Sequence, residues 1–110
     1  MNYQHKNLAQ GRWQQIPFLE QMANIGSEVS RALRWQSKEN HAYCRQAAER
    51  ALELIDLTLV DVQTFPRLKE ITRMREALVD YFFGTNQYSS TPKSWENYFL
   101  PFAYSARKGR

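Results

Sequence analysis

The sequence predicts an all-α protein, a single-domain antiparallel four-helix bundle, and three observations lead there. Its 110 residues match one ordinary domain, since chains of about 100 to 200 residues usually form a single core. Apolar residues recur at three- and four-residue steps and nowhere alternate for long, which is the period of helices rather than strands. The 43% hydrophobic and 14% aromatic content can fill a core without metal or disulfide staples, because a chain this long buries about two-thirds of its extended surface.

The first helix is predicted from Pro17, whose fixed φ suits a first helical position, to about Ser37. Phe18, Met22, Ile25, Val29 and Leu33 form its apolar stripe. Gly26 inside it costs about 1 kcal/mol against Ala, which points to a close helix approach or a bend. The second helix runs from Asn40, an N-cap, to Val62, with Tyr43, Ala47, Ala51, Leu54, Leu57 or Thr58, and Val62 facing inward. Its alanines allow a neighbouring backbone to come close. Glu49, Glu53 and Asp56 lie on its flank, where like charges repel unless bases sit opposite.

Pro66 restarts the chain, and the third helix carries Leu68, Ile71, Met74 or Arg75, Leu78 and Phe82 inward to Phe83. Gly84 is expected to stop it in a left-handed conformation. After a polar loop, Thr91-Pro92 starts a fourth helix with Trp95, Tyr98, Phe99, Phe102 and Ala106 at helical spacing. Pro101 lacks an N–H and crowds the carbonyl of Asn97, so it is expected to kink this helix or end it early. The domain plan is an N-terminal extension over 1–15, the bundle over 16–106 and a basic tail over 107–110.

Net charge is +4 and the isoelectric point is near 9.4, which permits an acidic partner such as nucleic acid. The charge is uneven along the chain. Lys6, Arg12, Arg107, Lys108 and Arg110 lie at the ends with no acid among them, whereas residues 16–106 hold 10 basic and 11 acidic side chains. One cysteine, Cys44, cannot pair within the chain and fits a reducing compartment, so a cytoplasmic location is expected. With a mean hydropathy of −0.67, no apolar run approaches the 18 to 20 or so residues of a membrane span, and Met1–Gln15 does not resemble a signal peptide.

Motifs of chemistry are few. There is no Gly-rich phosphate loop, nucleophile elbow or cysteine pair at metal-ligand spacing, and His41 with Cys44 is a poor ligand set. Neither a metal nor a cofactor is expected, and the protein is read as a non-enzyme. The one catalytic pattern is Arg34, six intervening residues, His41 and then Tyr43. It resembles the Arg-x(4-6)-His motif of the all-helical HEPN ribonucleases, with Trp35 where that family usually has a polar residue, and it implies an RNase using Arg34 and His41.

Two further sets of residues suggest binding. Arg34 and Lys38 at the first turn, with Arg107, Lys108 and Arg110 at the tail, can neutralise phosphates without reading sequence. Arg31 or Arg73 could meet Glu49, Glu53 or Asp56 of another copy, and late aromatics such as Tyr98 and Phe102 exceed what one helix face can bury.

The segment from Ala23 to Leu59 resembles the central helical hairpin of a bacterial four-helix-bundle family that includes ribosomal RNA intervening-sequence proteins and the accessory variability determinant of diversity-generating retroelements. Asn24-Ile25 with Glu28, Lys38-Glu39-Asn40 at the turn, and Ala51-Leu52-Glu53-Leu54 in the long helix carry the resemblance. It implies a ring-like homo-oligomer with a basic surface that binds RNA or DNA or a reverse-transcriptase partner, without catalytic residues. The functional expectation is thus a self-associating accessory protein that binds nucleic acid or a nucleic-acid-processing protein, the RNase and a structural oligomer being the alternatives.

Overall fold

The computed structural model describes residues 11–108, which form a 3-10 turn at Trp13–Gln15 and four helices: α1 (Phe18–Ser37), α2 (His41–Leu59), α3 (Phe65–Phe83) and α4 (Pro92–Lys108). No strand occurs among the described residues. The four helices form one antiparallel bundle. Met22, Ile25, Val29 and Leu33 of α1 are buried as the three-and-four spacing requires, while half-buried Phe18 lies under the Arg67 guanidinium, 3.8 Å from its ring centroid.

Glu39, in the left-handed region with φ 57°, reverses the chain after α1, and the Asn40 N–H returns to the Trp35 carbonyl at 2.9 Å. Asn40 then caps α2, its Oδ1 accepting from the Tyr43 N–H at 3.0 Å. Small residues set the closest contacts. Ala32 packs on Ala47 and Ala48 where α1 meets α2. Where α1 meets α4, a Cβ built on Gly26 would stand 2.9 Å from the Phe99 side chain, so this glycine marks a close helix approach.

The chain before α1 joins the body. Trp13 is 1% exposed, its Nε1 donates to Thr58 Oγ1 at 2.9 Å, and its carbonyl accepts from Gln21 Nε2 at 2.8 Å. A boundary at residue 15 therefore falls inside the packed unit. Arg107 and Lys108 likewise form the last turn of α4 rather than a tail, where positive charge suits the helix dipole. Arg110 lies outside the described residues.

Five local expectations are corrected. Tyr43 is 49% exposed and packs edge-on against Trp35, because Cys44, Ala47 and Ala48 turn the inward face of α2 there. The second helix ends at Leu59 instead of Val62, leaving Val60 in solvent. Leu68 is 41% exposed, since α3 buries its inward face through Ile71, Met74 and Leu78, beginning one turn later. Gly84 has φ −111°, which is not left-handed. Asp80 ends α3 instead: its carbonyl accepts the N–H groups of Gly84 and Asn86, and its carboxylate accepts those of Gln87 and Tyr88 at 2.8 and 3.0 Å. Asn86 and Ser89 take the left-handed positions of the loop.

The fifth correction concerns an early end of α4 at Pro101: the helix runs on through it to Lys108. Both Pro101 and Asn97 are exposed, so the carbonyl released by the missing N–H is open to water. A reciprocal cap starts this helix, with the Thr91 hydroxyl accepting from the Ser94 N–H at 3.0 Å and the Ser94 hydroxyl accepting from the Thr91 N–H at 2.9 Å.

Gly26→Ala should destabilise the protein: overpacking costs about 1 to 3 kcal/mol against a helix-propensity gain of about 1 kcal/mol. A urea-unfolding midpoint equal to or above that of the parent would contradict the close α1–α4 contact. Thr58→Val strands the Trp13 N–H in the core and should cost about 1 to 3 kcal/mol, whereas Thr58→Ser keeps the acceptor and should unfold close to the parent.

Candidate nucleic-acid interface

Along α1, Ala23, Ser27, Ser30, Arg34 and Ser37 recur at alternating four- and three-residue steps, so they form one stripe of small, polar and cationic side chains. The stripe faces α4 across a groove. Two adjoining pockets of about 480 and 390 Å³ share Ser30, Arg34 and Glu96, with Phe99, Leu100 and Ala103 flooring one end and Pro92 the other. Small residues on α1 make the groove, since larger ones would fill the space between the helices. Arg34 is exposed and forms no ion pair among the described residues.

The other charges around the groove are more constrained. Arg31 holds Glu28 Oε1 at 3.1 Å while Arg50 of α2 holds Oε2 at 3.0 Å, so two guanidiniums share one carboxylate and a positive charge remains. Lys38 sits over the Trp35 ring with Nζ 5.3 Å from the centroid. Glu96 is the opposing acid, centrally placed. Because α1 and α4 run antiparallel with Gly26 against Phe99, Arg34 and Arg107 lie eight residues from that contact in opposite directions. At 1.5 Å per residue, about 24 Å of bundle axis separates them. The two basic groups therefore stand at opposite ends of one face, not in one cluster.

Arg34 and His41 line different pockets: His41 borders one with Gln36, Cys44, Arg45, Phe82 and Phe83, and it adjoins the Arg34 groove at Gln36. The Cys44 thiol is pushed up by burial, which disfavours the nucleophilic thiolate. No group of three or more His, Cys, Asp or Glu side chains suited to a metal occurs among the described residues. No helix among them is long and apolar enough to cross a membrane.

Several residues proposed for a subunit seam have partners within the chain. Arg45 reaches Glu49 at 3.4 Å, and Arg75, rather than Arg73, takes Asp56 at 2.7 Å. Glu53 is half-buried on the same helix. Tyr98 and Phe102 join an aromatic cluster with Trp95 and Phe99. Arg73 differs. It borders a second groove, between α3 and α4, together with Lys69, Glu70 and Met74 on one side and Trp95 and Tyr98 on the other.

That second groove was not anticipated from sequence. Large rings hold α3 and α4 apart, so their backbones do not close the gap, and Trp95 Nε1 and the Tyr98 hydroxyl are shielded from solvent without a hydrogen-bond partner. Each such group costs about 1 to 3 kcal/mol. Burial, assisted by the charge of Glu70, pushes the Tyr98 hydroxyl up to about 12. The surplus of late aromatics was the available signal, but spacing could not say which rings would line an opening.

Comparison with known proteins finds no family model that matches the chain and no significant similarity to a curated protein or a solved structure.

Tyr98 supplies a test by ionisation. Its folded value lies above its ordinary value, so its contribution to stability is complete below about pH 10 and is lost as pH rises toward 12. An ultraviolet titration of the folded protein should show a late tyrosine component that disappears in Tyr98→Phe. Retention of that component in the variant would assign it elsewhere.

Proposed function

We propose that the protein is a non-enzymatic binding module that holds the phosphate backbone of a nucleic acid along the face formed by α1 and α4. The observation that carries this reading is the α1–α4 groove with exposed Arg34 in it, which has no ion-pair partner among the described residues and lies beside the exposed Ser30. The Ser27 and Ser37 hydroxyls donate to carbonyls of their own helix. Serine hydroxyls and guanidiniums are phosphate ligands that carry no sequence information themselves. Lys38 near one end and Arg107 with Lys108 at the other extend the positive path along one side of the bundle. Glu96, facing the middle of the groove, disfavours phosphate there and leaves the two ends as the points of contact.

The reading accords with the hairpin resemblance to ribosomal RNA intervening-sequence proteins, which also implies a ring of identical subunits. Exposed apolar side chains at the α2–α3 end, Val60 and Phe65 among them, suit self-association. The ribonuclease alternative would use Arg34 and His41, which line two pockets that meet at Gln36.

Fluorescence anisotropy with a labelled single-stranded RNA across a salt series tests the proposal. The logarithm of affinity should fall against that of salt by about 0.7 for each phosphate neutralised. Arg34→Ala should flatten the slope by about that amount, and the Arg107→Ala/Lys108→Ala pair by more. Affinity indifferent to salt would remove the phosphate contacts, and RNA cleavage abolished by His41→Ala would favour the enzyme instead.

A further inference from the structure

The outward face of α3 carries a row of charges that the nucleic-acid reading leaves unused. Ile71, Met74 and Leu78 turn the helix toward the core. On the far side Phe65, Lys69, Arg73, Glu76, Asp80 and Phe83 succeed one another at steps of four and three, so they share one face. Lys69, Arg73 and Glu76 are exposed, and neither they nor Asp80 form an ion pair among the described residues. The Asp80 carboxylate accepts the Gln87 and Tyr88 N–H groups but keeps its charge. Phe65 and Phe83, at the two ends of the row, are 74% and 39% exposed. Bases lie toward the N-terminus and acids toward the C-terminus, the reverse of what the helix dipole favours, so this order does not serve the isolated helix.

We propose that this face binds a second copy of the chain, with α3 packed antiparallel against its counterpart about a two-fold axis. The row is its own complement, because reading it backward with every charge reversed returns the same order. With the axis midway between residues 74 and 75, Arg73 faces Glu76 of the second copy and Lys69 faces the second copy's Asp80. Phe65 then lies within one residue, about 1.5 Å along the helix, of being level with the second copy's Phe83. Two-fold symmetry makes each of these contacts twice, so the ion pairs are flanked by an aromatic contact at either end. That axis falls at the middle of Phe65–Phe83, and the two helices overlap along their whole length. A parallel pairing would set base against base and acid against acid, which selects the antiparallel one. Helix α3 lies across the bundle from α1, which packs on α2 and α4. The dimer therefore leaves the α1–α4 groove of each copy open, and it does not depend on the nucleic-acid reading.

Sedimentation equilibrium on the full-length protein, from about 5 to about 300 μM and without nucleic acid, measures the assembly. A face one helix wide buries less than about 1,200 Å², the size of weak complexes, so the mass should rise with concentration from 13.1 kDa toward twice that value. Arg73→Glu and Glu76→Arg each oppose like charges across the axis, and each should weaken the dimer about tenfold or more. Mixing these two variants sets Glu against Arg at both sites, and the double variant Arg73→Glu/Glu76→Arg does so between identical chains. Both should recover the parent's dimer, which also shows that the single variants are folded. A monomer at every concentration, a dimer indifferent to the single reversals, failure of either recovery, or a mass of three or more chains would overturn the proposal. The RNA salt series tests Arg34, Arg107 and Lys108, which lie off this face, so the two proposals fail separately.

Discussion

The approach of α1 to α4 at Gly26 is the constraint on which most of the structure depends. A side chain at this position would collide with Phe99, so the absence of a Cβ lets the last helix sit down on the first. Once α4 is seated there, Phe99 and Trp95 are buried and the remaining rings stack outward from them. The alanines between α1 and α2 do the same on the other flank of α1. Helix α1 is thereby the central element, held close to two neighbours, and α3 is attached through α2 and through the aromatic layer.

That arrangement decides where charge is neutralised and where it is left over. On α2, acids that repel one another in sequence find bases within the chain, Glu49 taking Arg45 and Asp56 taking Arg75, while Arg50 of α2 crosses to Glu28 of α1. Where such a pair is exposed, as at Arg45 and Glu49, it contributes little to stability, typically below about 1 kcal/mol. The effect of these pairs is on the surface that remains. Arg34 is left on the α1–α4 side, and Lys69 with Arg73 on the α3–α4 side, so two grooves carry positive charge although residues 16–106 together have one more acid than base.

Much of the fold was legible because helical periodicity and capping are local. The stripe of α1, the Asn40 cap, the alanine face of α2 and the Thr91 start of α4 all rest on residues within a few positions of one another. The misplacements share a different cause. Tyr43 and Leu68 satisfy the helical period yet lie at ends where no neighbouring helix covers them, and periodicity does not report the length of a neighbour. Pro101 does not end α4, because Asn97 is exposed and its freed carbonyl can bond to water, although the ring still crowds that carbonyl. Gly84 was unnecessary as a left-handed stop because the Asp80 carboxylate captures the following N–H groups.

The candidate sites were legible in a smaller part. Arg34 and Lys38 could be named as phosphate ligands, but the serine stripe beside Arg34 and the acid of Glu96 acquire meaning only from the helix opposite. Composition and spacing by themselves determined the helical class, the number of helices and most of the core, though not Trp13, Ala32 or Ile55, because burying apolar surface at a period of 3.6 admits few other solutions. Tertiary structure alone decided which cations kept no ion-pair partner among the described residues, and that Arg34 and His41 line two pockets meeting at Gln36. It also decided that Trp95 and Tyr98 hold shielded polar atoms without a hydrogen-bond partner. The physical reason is that pairing and burial are properties of facing surfaces, and a facing surface comes from residues far away in the chain.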